Sequence, residues 1–373
     1  MSTTLEIQQF ALWDRLKSRR IPVSFDLEIT ARCNNDCRHC YINLPANDRQ
    51  ASASELSAAE IDRIADQAVE LGAMWCLITG GEPLLRPDFA DIFMLLKRKG
   101  LLVSVFTNAT LVNQKHIALF KKYPPRDIEV TVYGATRETY ERVSRIPGSF
   151  DKFIQGMDLL LEGGVRVRLK AMALRGNLHE MEAISNFCRL RTKDFFRFDP
   201  VLHLRFDGDS QRNTEIRSER LTSAEITALE RADPQRFQAL LNNCGDLIQP
   251  EAVHIGCNHL FHCGAANSSF TVSYDAKFRL CSSLWAPGTT FDLRTGTLAQ
   301  AWNELVPRVK NLRSDDPRFL ATCRKCSLAN LCLWCPAHAY LETGALDGPT
   351  PYFCEVAHAR AAQLTGHSLP SQD

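Results

Sequence analysis

Three cysteines share one short stretch, Cys33-Asn-Asn-Asp-Cys37-Arg-His-Cys40-Tyr41, a C-x3-C-x2-C spacing. Thiolates cluster this tightly when a cation offsets their charge. Three of them can hold three irons of a cubane 4Fe–4S cluster and leave the fourth iron open. An open coordination position separates a catalytic metal from a structural one. Structural zinc wants four ligands, usually in C-x2-C pairs, and the triplet has no evident fourth. Ligand count therefore favours iron–sulfur, with zinc as the alternative. Eight more cysteines fall between residues 257 and 354, as Cys257-x5-Cys263-x17-Cys281 and Cys323-x2-Cys326-x5-Cys332-x2-Cys335-x18-Cys354. Eight thiolates suffice for two fully ligated clusters. Two zinc sites are the alternative, but the x5 and x17 gaps fit paired zinc knuckles poorly. Cys76, Cys188 and Cys244 remain of the chain's 14 cysteines. Cys76 and Cys188 read as buried fillers.

Two further motifs carry polar chemistry. In Thr79-Gly80-Gly81-Glu82-Pro83 the glycines let backbone approach a ligand closely, and Glu82 could accept a hydrogen bond from an ammonium group. A plain turn is the alternative. Thr107-Asn108 ends the next apolar run. Asp199 is a candidate catalytic acid or base, set against the common role of Asp as a turn or cap residue. His203 and Arg205, just after it, could bind substrate carboxylates.

The elements that must position these residues alternate. Strands are predicted at Ser24–Glu28, Trp75–Thr79, Leu102–Phe106, Ile128–Tyr133, Val165–Met172 and Asp194–Pro200. Between them lie helical patterns. One starts at Ser57 with Glu60 completing a capping box, and one runs from Phe89 to Lys99 with Gly100 as its stop. Others cover Asn113–Lys122, Ser149–Glu162 and His179–Leu190. Six β/α repeats imply parallel strands with right-handed crossovers, short of the eight of a closed TIM barrel. The fold class is therefore α/β, a partial (β/α)6 TIM barrel followed by a small Cys-rich domain. The cysteine triplet and the GGEP and Thr107-Asn108 segments would all meet at the C-terminal rim of the strands. The almost wholly polar residues 205–220 read as a linker or surface loop, with helices following at Ser223–Arg231 and Pro234–Asn242. The boundaries are an N-terminal extension 1–21, a barrel 22–204, a linker with helices 205–249, the Cys-rich domain 250–357 and a tail 358–373.

Composition excludes several classes. The chain has 373 residues with 44 Lys+Arg against 43 Asp+Glu, a net charge of +1. That balance argues against a general nucleic-acid or membrane-surface binder. No apolar run approaches the ~20 residues of a membrane span. The first twenty residues lack a signal-peptide core, so a cytoplasmic location is expected, where cysteines would not persist as disulfides.

The C-x3-C-x2-C loop, with His39 before its last cysteine, and GGEP after the second strand resemble the radical S-adenosylmethionine (radical SAM) superfamily over residues 22–200. The resemblance implies that Cys33, Cys37 and Cys40 bind a 4Fe–4S cluster whose open iron takes the amino and carboxylate groups of S-adenosylmethionine. It implies that Gly80, Gly81 and Glu82 hold the methionyl amino group, with Asn108 on the same rim. His39 and Tyr41 would flank the adenine, Thr131 would reach the ribose, and Lys170 would pair with the carboxylate. The implied chemistry is one-electron cleavage of the sulfonium and abstraction of a substrate hydrogen by a 5′-deoxyadenosyl radical. Residues 250–356 resemble the SPASM domain, a module carrying two auxiliary clusters. Carried over, the first takes Cys257, Cys263, Cys281 and Cys335, and the second Cys323, Cys326, Cys332 and Cys354. That makes three 4Fe–4S clusters, one SAM-binding and two auxiliary. The auxiliary pair would act as an electron path, which suits an oxidation.

The stretches Cys332–His338 and Pro351–Glu355 resemble peptide maturases. The implied substrate is a ribosomally made precursor peptide, modified by a cross-link or a dehydrogenation. About 22 residues precede the first strand, too few for a leader-binding domain, so a separate small recognition protein would present the peptide. A flavodoxin or ferredoxin would supply electrons. The alternatives are sulfatase-maturase-like formylglycine formation, peptide epimerisation, oxidation of a small molecule or tetrapyrrole, and a zinc-binding scaffold without activity. Sulfatase maturases place an acid directly after the third SPASM cysteine, where this chain has Ser282.

Overall fold

Period-two alternation builds the central sheet. In β1 (Ser24–Thr30), Phe25, Leu27 and Ile29 enter the apolar core while Asp26, Glu28 and Thr30 face the other way. The same alternation runs through β2 (Trp75–Gly80), β3 (Leu102–Thr107), β4 (Asp127–Val132), β5 (Val167–Met172) and β6 (Arg197–Asp199). The computed structural model describes residues 19–243, 247–248 and 257–366. Cys244, and parts of the terminal and linker boundaries read from the sequence, lie outside the described residues.

The six strands are parallel, each beside the next in chain order. Helices on the outer face bury apolar stripes against them. α1 (Ala58–Glu70) starts with the capping box Ser57/Glu60, and α2 (Phe89–Arg98) ends before Gly100. α3 (Gln114–Lys122) is capped by Asn113, and α5 (Ser149–Glu162) follows α4 (Arg137–Ser144), which the sequence reading did not mark. α6 is Met181–Arg191.

Two features differ from the sequence reading. First, the polar segment 205–220 is not simply a loop, because Ser210–Ser218 form a helix, α7. Asp209 caps its N-terminus, and one apolar residue, Ile216, packs on Leu174, Leu202 and Leu204. A single anchor leaves almost no periodicity to see. Second, the Cys-rich region joins the barrel sheet. β7 (Ser269–Val272) pairs parallel with β1, and β8 (Lys277–Arg279) and β9 (Phe291–Asp292) extend it antiparallel. The result is one nine-stranded sheet in the order β9-β8-β7-β1-β2-β3-β4-β5-β6. Short strands of two to four residues carry too little pattern to be seen in sequence. Among the described residues no helix is long and apolar enough to cross a membrane.

Candidate active site

The cysteine loop leaves the C-terminal end of β1 and is tied down on two sides. On one side the GGEP turn presses against it. Gly81 donates its N–H to the Thr30 carbonyl at 2.8 Å, and Glu82 donates to the Arg32 carbonyl at 2.9 Å. Gly80 has φ +131°, a conformation that favours glycine. The glycines are thus required for a close approach of two backbone segments within the protein. On the other side, Arg212 of α7 donates to the Cys37 carbonyl at 3.2 Å and pairs with Asp36 at 3.0 Å. Arg145, at the C-terminus of α4, donates to the Asp36 carbonyl at 2.7 Å and pairs with Glu215 of α7 at 2.8 Å. The sequence reading missed these latches, since each joins residues far apart in the chain.

Cys33, Cys37 and Cys40 face one cavity of about 370 Å³ at the mouth of the barrel. His39, Tyr41, Gly80, Gly81, Asn108, Thr131, Lys170 and Asp199 line it, together with Asp26, Glu28, His203 and Ser282. Most residues singled out from sequence are therefore brought together.

Three placements refine individual roles. Glu82 is completely buried and turned into the protein, where its carboxylate accepts from Thr107 Oγ1 at 2.8 Å, Asn108 N at 2.7 Å and Leu84 N at 3.0 Å. It orders the Thr107-Asn108 rim, and burial lifts its carboxyl to about 7 against those hydrogen bonds. Lys170 lines the cavity but is paired with Glu129 at 2.7 Å, its ammonium 4.3 Å from the Phe106 ring centroid. Arg205 is buried, paired with Asp207 and donating to the Asn43 carbonyl at 3.0 Å. It fastens the linker to the chain after the cysteine loop and is not free to bind a substrate carboxylate. His203 does reach the cavity, 4.1 Å centroid to centroid from His338, and burial pushes its imidazole down to about 3.

The β1 wall of the cavity carries two carboxylic acids. Burial raises Asp26 to about 6 and Glu28 to about 7, against the pull of Arg279. Between the ordinary carboxylate range and pH 7, the folded chain holds protons that the unfolded chain has released. Stability of the metal-free protein therefore falls as pH rises from about 4 to 7. Glu28→Gln should flatten the upper part of that slope, read as the denaturant midpoint at pH 5 and pH 8. An unchanged slope would remove Glu28 as its source.

The cysteines of the C-terminal region fall into groups. Burial raises the Cys335 thiol to about 12, with Cys281 and Cys263 opposing its ionisation further. Burial likewise raises Cys332 to about 12, with Cys354, Cys326 and Cys323 as its charged neighbours. Cys257 lies with its sulfur 3.0 Å from His259 Nδ1. Cys76 and Cys188 are buried in the core, as fillers are. Among the described residues no three His, Cys, Asp or Glu side chains sit at the spacing of a single metal ion. The donor set fits a larger cluster. Cys40 opposes ionisation of Cys33, and both oppose ionisation of Cys37, while buried polar atoms beside them, His39 Nδ1 and the Asn35 amide, have no hydrogen-bond partner among the described residues. Thiols packed this way need a cation to ionise.

Residues 27–188 match the model of the Radical SAM superfamily. Residues 27–188 thus carry a radical SAM domain, and the relatives that share it are enzymes. An AdoMet-dependent heme synthase of Methanosarcina barkeri is 23% identical over 345 residues, covering 87% of this chain and 94% of that protein. The antilisterial bacteriocin subtilosin biosynthesis protein AlbA of Bacillus subtilis is 26% identical over 202 residues, covering 52% of this chain but only 44% of AlbA. Streptococcus suis SuiB, solved with its precursor peptide SuiA, superposes with a TM-score of 0.65 at 16% identity, over 93% of this chain and 81% of SuiB. The shared fold thus runs through the Cys-rich region as well as the barrel.

Proposed function

We propose that this radical SAM enzyme oxidatively modifies a ribosomally synthesised precursor peptide, by a cross-link or a dehydrogenation, and works in the reducing cytoplasm. Cys33, Cys37 and Cys40 would hold the cluster that binds S-adenosylmethionine. Cys257, Cys263, Cys281 and Cys335 would hold one auxiliary 4Fe–4S cluster, and Cys323, Cys326, Cys332 and Cys354 the other. When bound, the first cluster and S-adenosylmethionine supply a radical that removes hydrogen from a substrate C–H bond. The chain's own residues bind and orient. The backbone at Gly80 and Gly81, with Asn108, Thr131 and Lys170, offers polar groups to the cosubstrate, and His39 and Tyr41 offer flat faces. Asp199, exposed at the end of β6 on the cavity rim, would take or give a proton at the substrate.

The likeness to proteins that work on precursor peptides carries the peptide reading: SuiB, solved with its precursor peptide SuiA, superposes over 93% of this chain, and the subtilosin biosynthesis protein AlbA aligns over 52% of it. A separate recognition protein would present the leader, and a flavodoxin or ferredoxin would supply the electron. Anaerobic reconstitution with the precursor peptide encoded beside the enzyme tests the reading by mass spectrometry. Loss of two hydrogens is expected. An unmodified peptide that does not bind, with or without a recognition partner, would sink it, and unchanged mass with deuterium uptake would turn it to epimerisation. A second reading, tetrapyrrole oxidation, rests on the heme synthase match over 94% of that relative's length. A tetrapyrrole offered in place of the peptide tests it in the same assay.

A further inference from the structure

Two carboxyl groups on the β1 wall of the cavity have one protein cation, Arg279, between them. Asp26 and Glu28 alternate with core residues on β1, so both face inward. Glu28 is 1% exposed. One of its oxygens pairs with Arg279 and the other, Oε1, has no hydrogen-bond partner. Arg279 comes from β8 of the Cys-rich region and is wholly buried. It donates to the Ser282 carbonyl and lies 3.7 Å from the Trp285 ring centroid. The countercharge that Asp26 senses is the same Arg279. Two carboxylates thus share one guanidinium that is already engaged. Lys170, which lines the cavity, is paired with Glu129, which Arg197 also contacts.

A buried carboxylate without a partner costs stability unless a proton or a cation compensates it. Fold maintenance gives Glu28 and Arg279 a reason to be there, since their pair joins β1 to β8. It gives none for Asp26, or for the free oxygen of Glu28. Both residues line the cavity.

We propose that Asp26 and the free oxygen of Glu28 form a cation subsite, which receives the side-chain ammonium or guanidinium of a lysine or arginine of the substrate. This rests on the peptide reading and deepens it by naming a side-chain class at the modified position or next to it. Arg279 acts as a positioning residue. It holds one oxygen of Glu28 and leaves the other for the substrate.

The test uses the fully reconstituted enzyme saturated with S-adenosylmethionine. Two probes are compared by equilibrium dialysis, N-acetyl-lysine amide and its uncharged counterpart N-acetyl-norleucine amide. The lysine probe should bind at least tenfold more tightly, and Asp26→Asn should reduce that preference to within about twofold. Glu28→Gln should do the same. If that variant fails to fold, Asp26→Asn decides alone, because among the described residues no hydrogen bond depends on its carboxylate. Equal binding of the two probes by the unaltered enzyme overturns the proposal, and so does a tenfold preference that survives Asp26→Asn. The peptide reading is scored separately. Charge preference without modification of the precursor peptide keeps the subsite and discards the peptide, whereas modification without charge preference discards only the subsite.

Discussion

Replacing Cys33, Cys37 and Cys40 together by alanine should leave a protein with about 8 irons where three clusters would give the unaltered protein about 12, at four per cluster. Cleavage of S-adenosylmethionine should stop altogether. Among the described residues these three are the only cysteines that line the cavity. Of the remaining eight cysteines, seven sit in two groups of their own, Cys263 and Cys281 with Cys335, and Cys323, Cys326 and Cys354 with Cys332, which is why the iron there should survive the substitution. Anaerobic iron and sulfide analysis with a cleavage assay reads both quantities. Retained cleavage in the triple variant would overturn the site. Zinc without labile sulfide in the unaltered protein would overturn the enzyme reading and favour a scaffold.

The second large effect is expected at the GGEP turn. A Cβ on Gly81 would lie 2.5 Å from the Ala31 carbonyl oxygen and 2.7 Å from the Arg32 carbonyl carbon. A Cβ on Gly80 would overlap the Thr30 carbonyl oxygen, at a φ of +131°. These neighbours are backbone atoms at the root of the cysteine loop, so no rotamer change relieves the overlap. Gly80→Ala should cost about 3 kcal/mol, from overpacking and backbone strain together. It should also move Cys33 away from the other two thiols and lower the iron content. Gly100→Ala is the control, because φ there is +81° but the space around it is open. Strain alone should cost about 1 kcal/mol at that site. Denaturant midpoints of the two variants make the comparison. If Gly80→Ala loses no more than Gly100→Ala, the glycines do not serve the loop and the ligand-approach reading regains its place.

The same turn shows what tertiary structure changes in a motif. From sequence, Gly80, Gly81 and Glu82 read as one ligand-binding unit. In the fold the three divide. The glycines admit the backbone before Cys33, and they also line the cavity, while Glu82 points inward and secures Thr107 and Asn108. A carboxylate in a motif does not disclose which side of the turn its side chain will take. That depends on which donors the neighbouring strand brings within reach.

Sequence by itself determined the chemistry and the parallel half of the sheet. Three thiols within eight residues reach one point whatever the rest of the chain does. Apolar alternation of period two and period 3.6 needs only local sequence, and it located the six parallel strands and most helices between them. Tertiary structure alone decided three other features. It attached β7 to β1, which made the Cys-rich region part of the same sheet and delivered Arg279 to Glu28. It turned Ser210–Ser218 of the polar segment into a helix whose Arg212 and Glu215 brace the cysteine loop. And it left Asp26 facing the cavity with only a shared countercharge. Each depends on contacts between residues tens to hundreds of positions apart, where short strands and long charged side chains leave no periodic trace. Charges on one strand cannot reveal their balance until the opposing strand is in place.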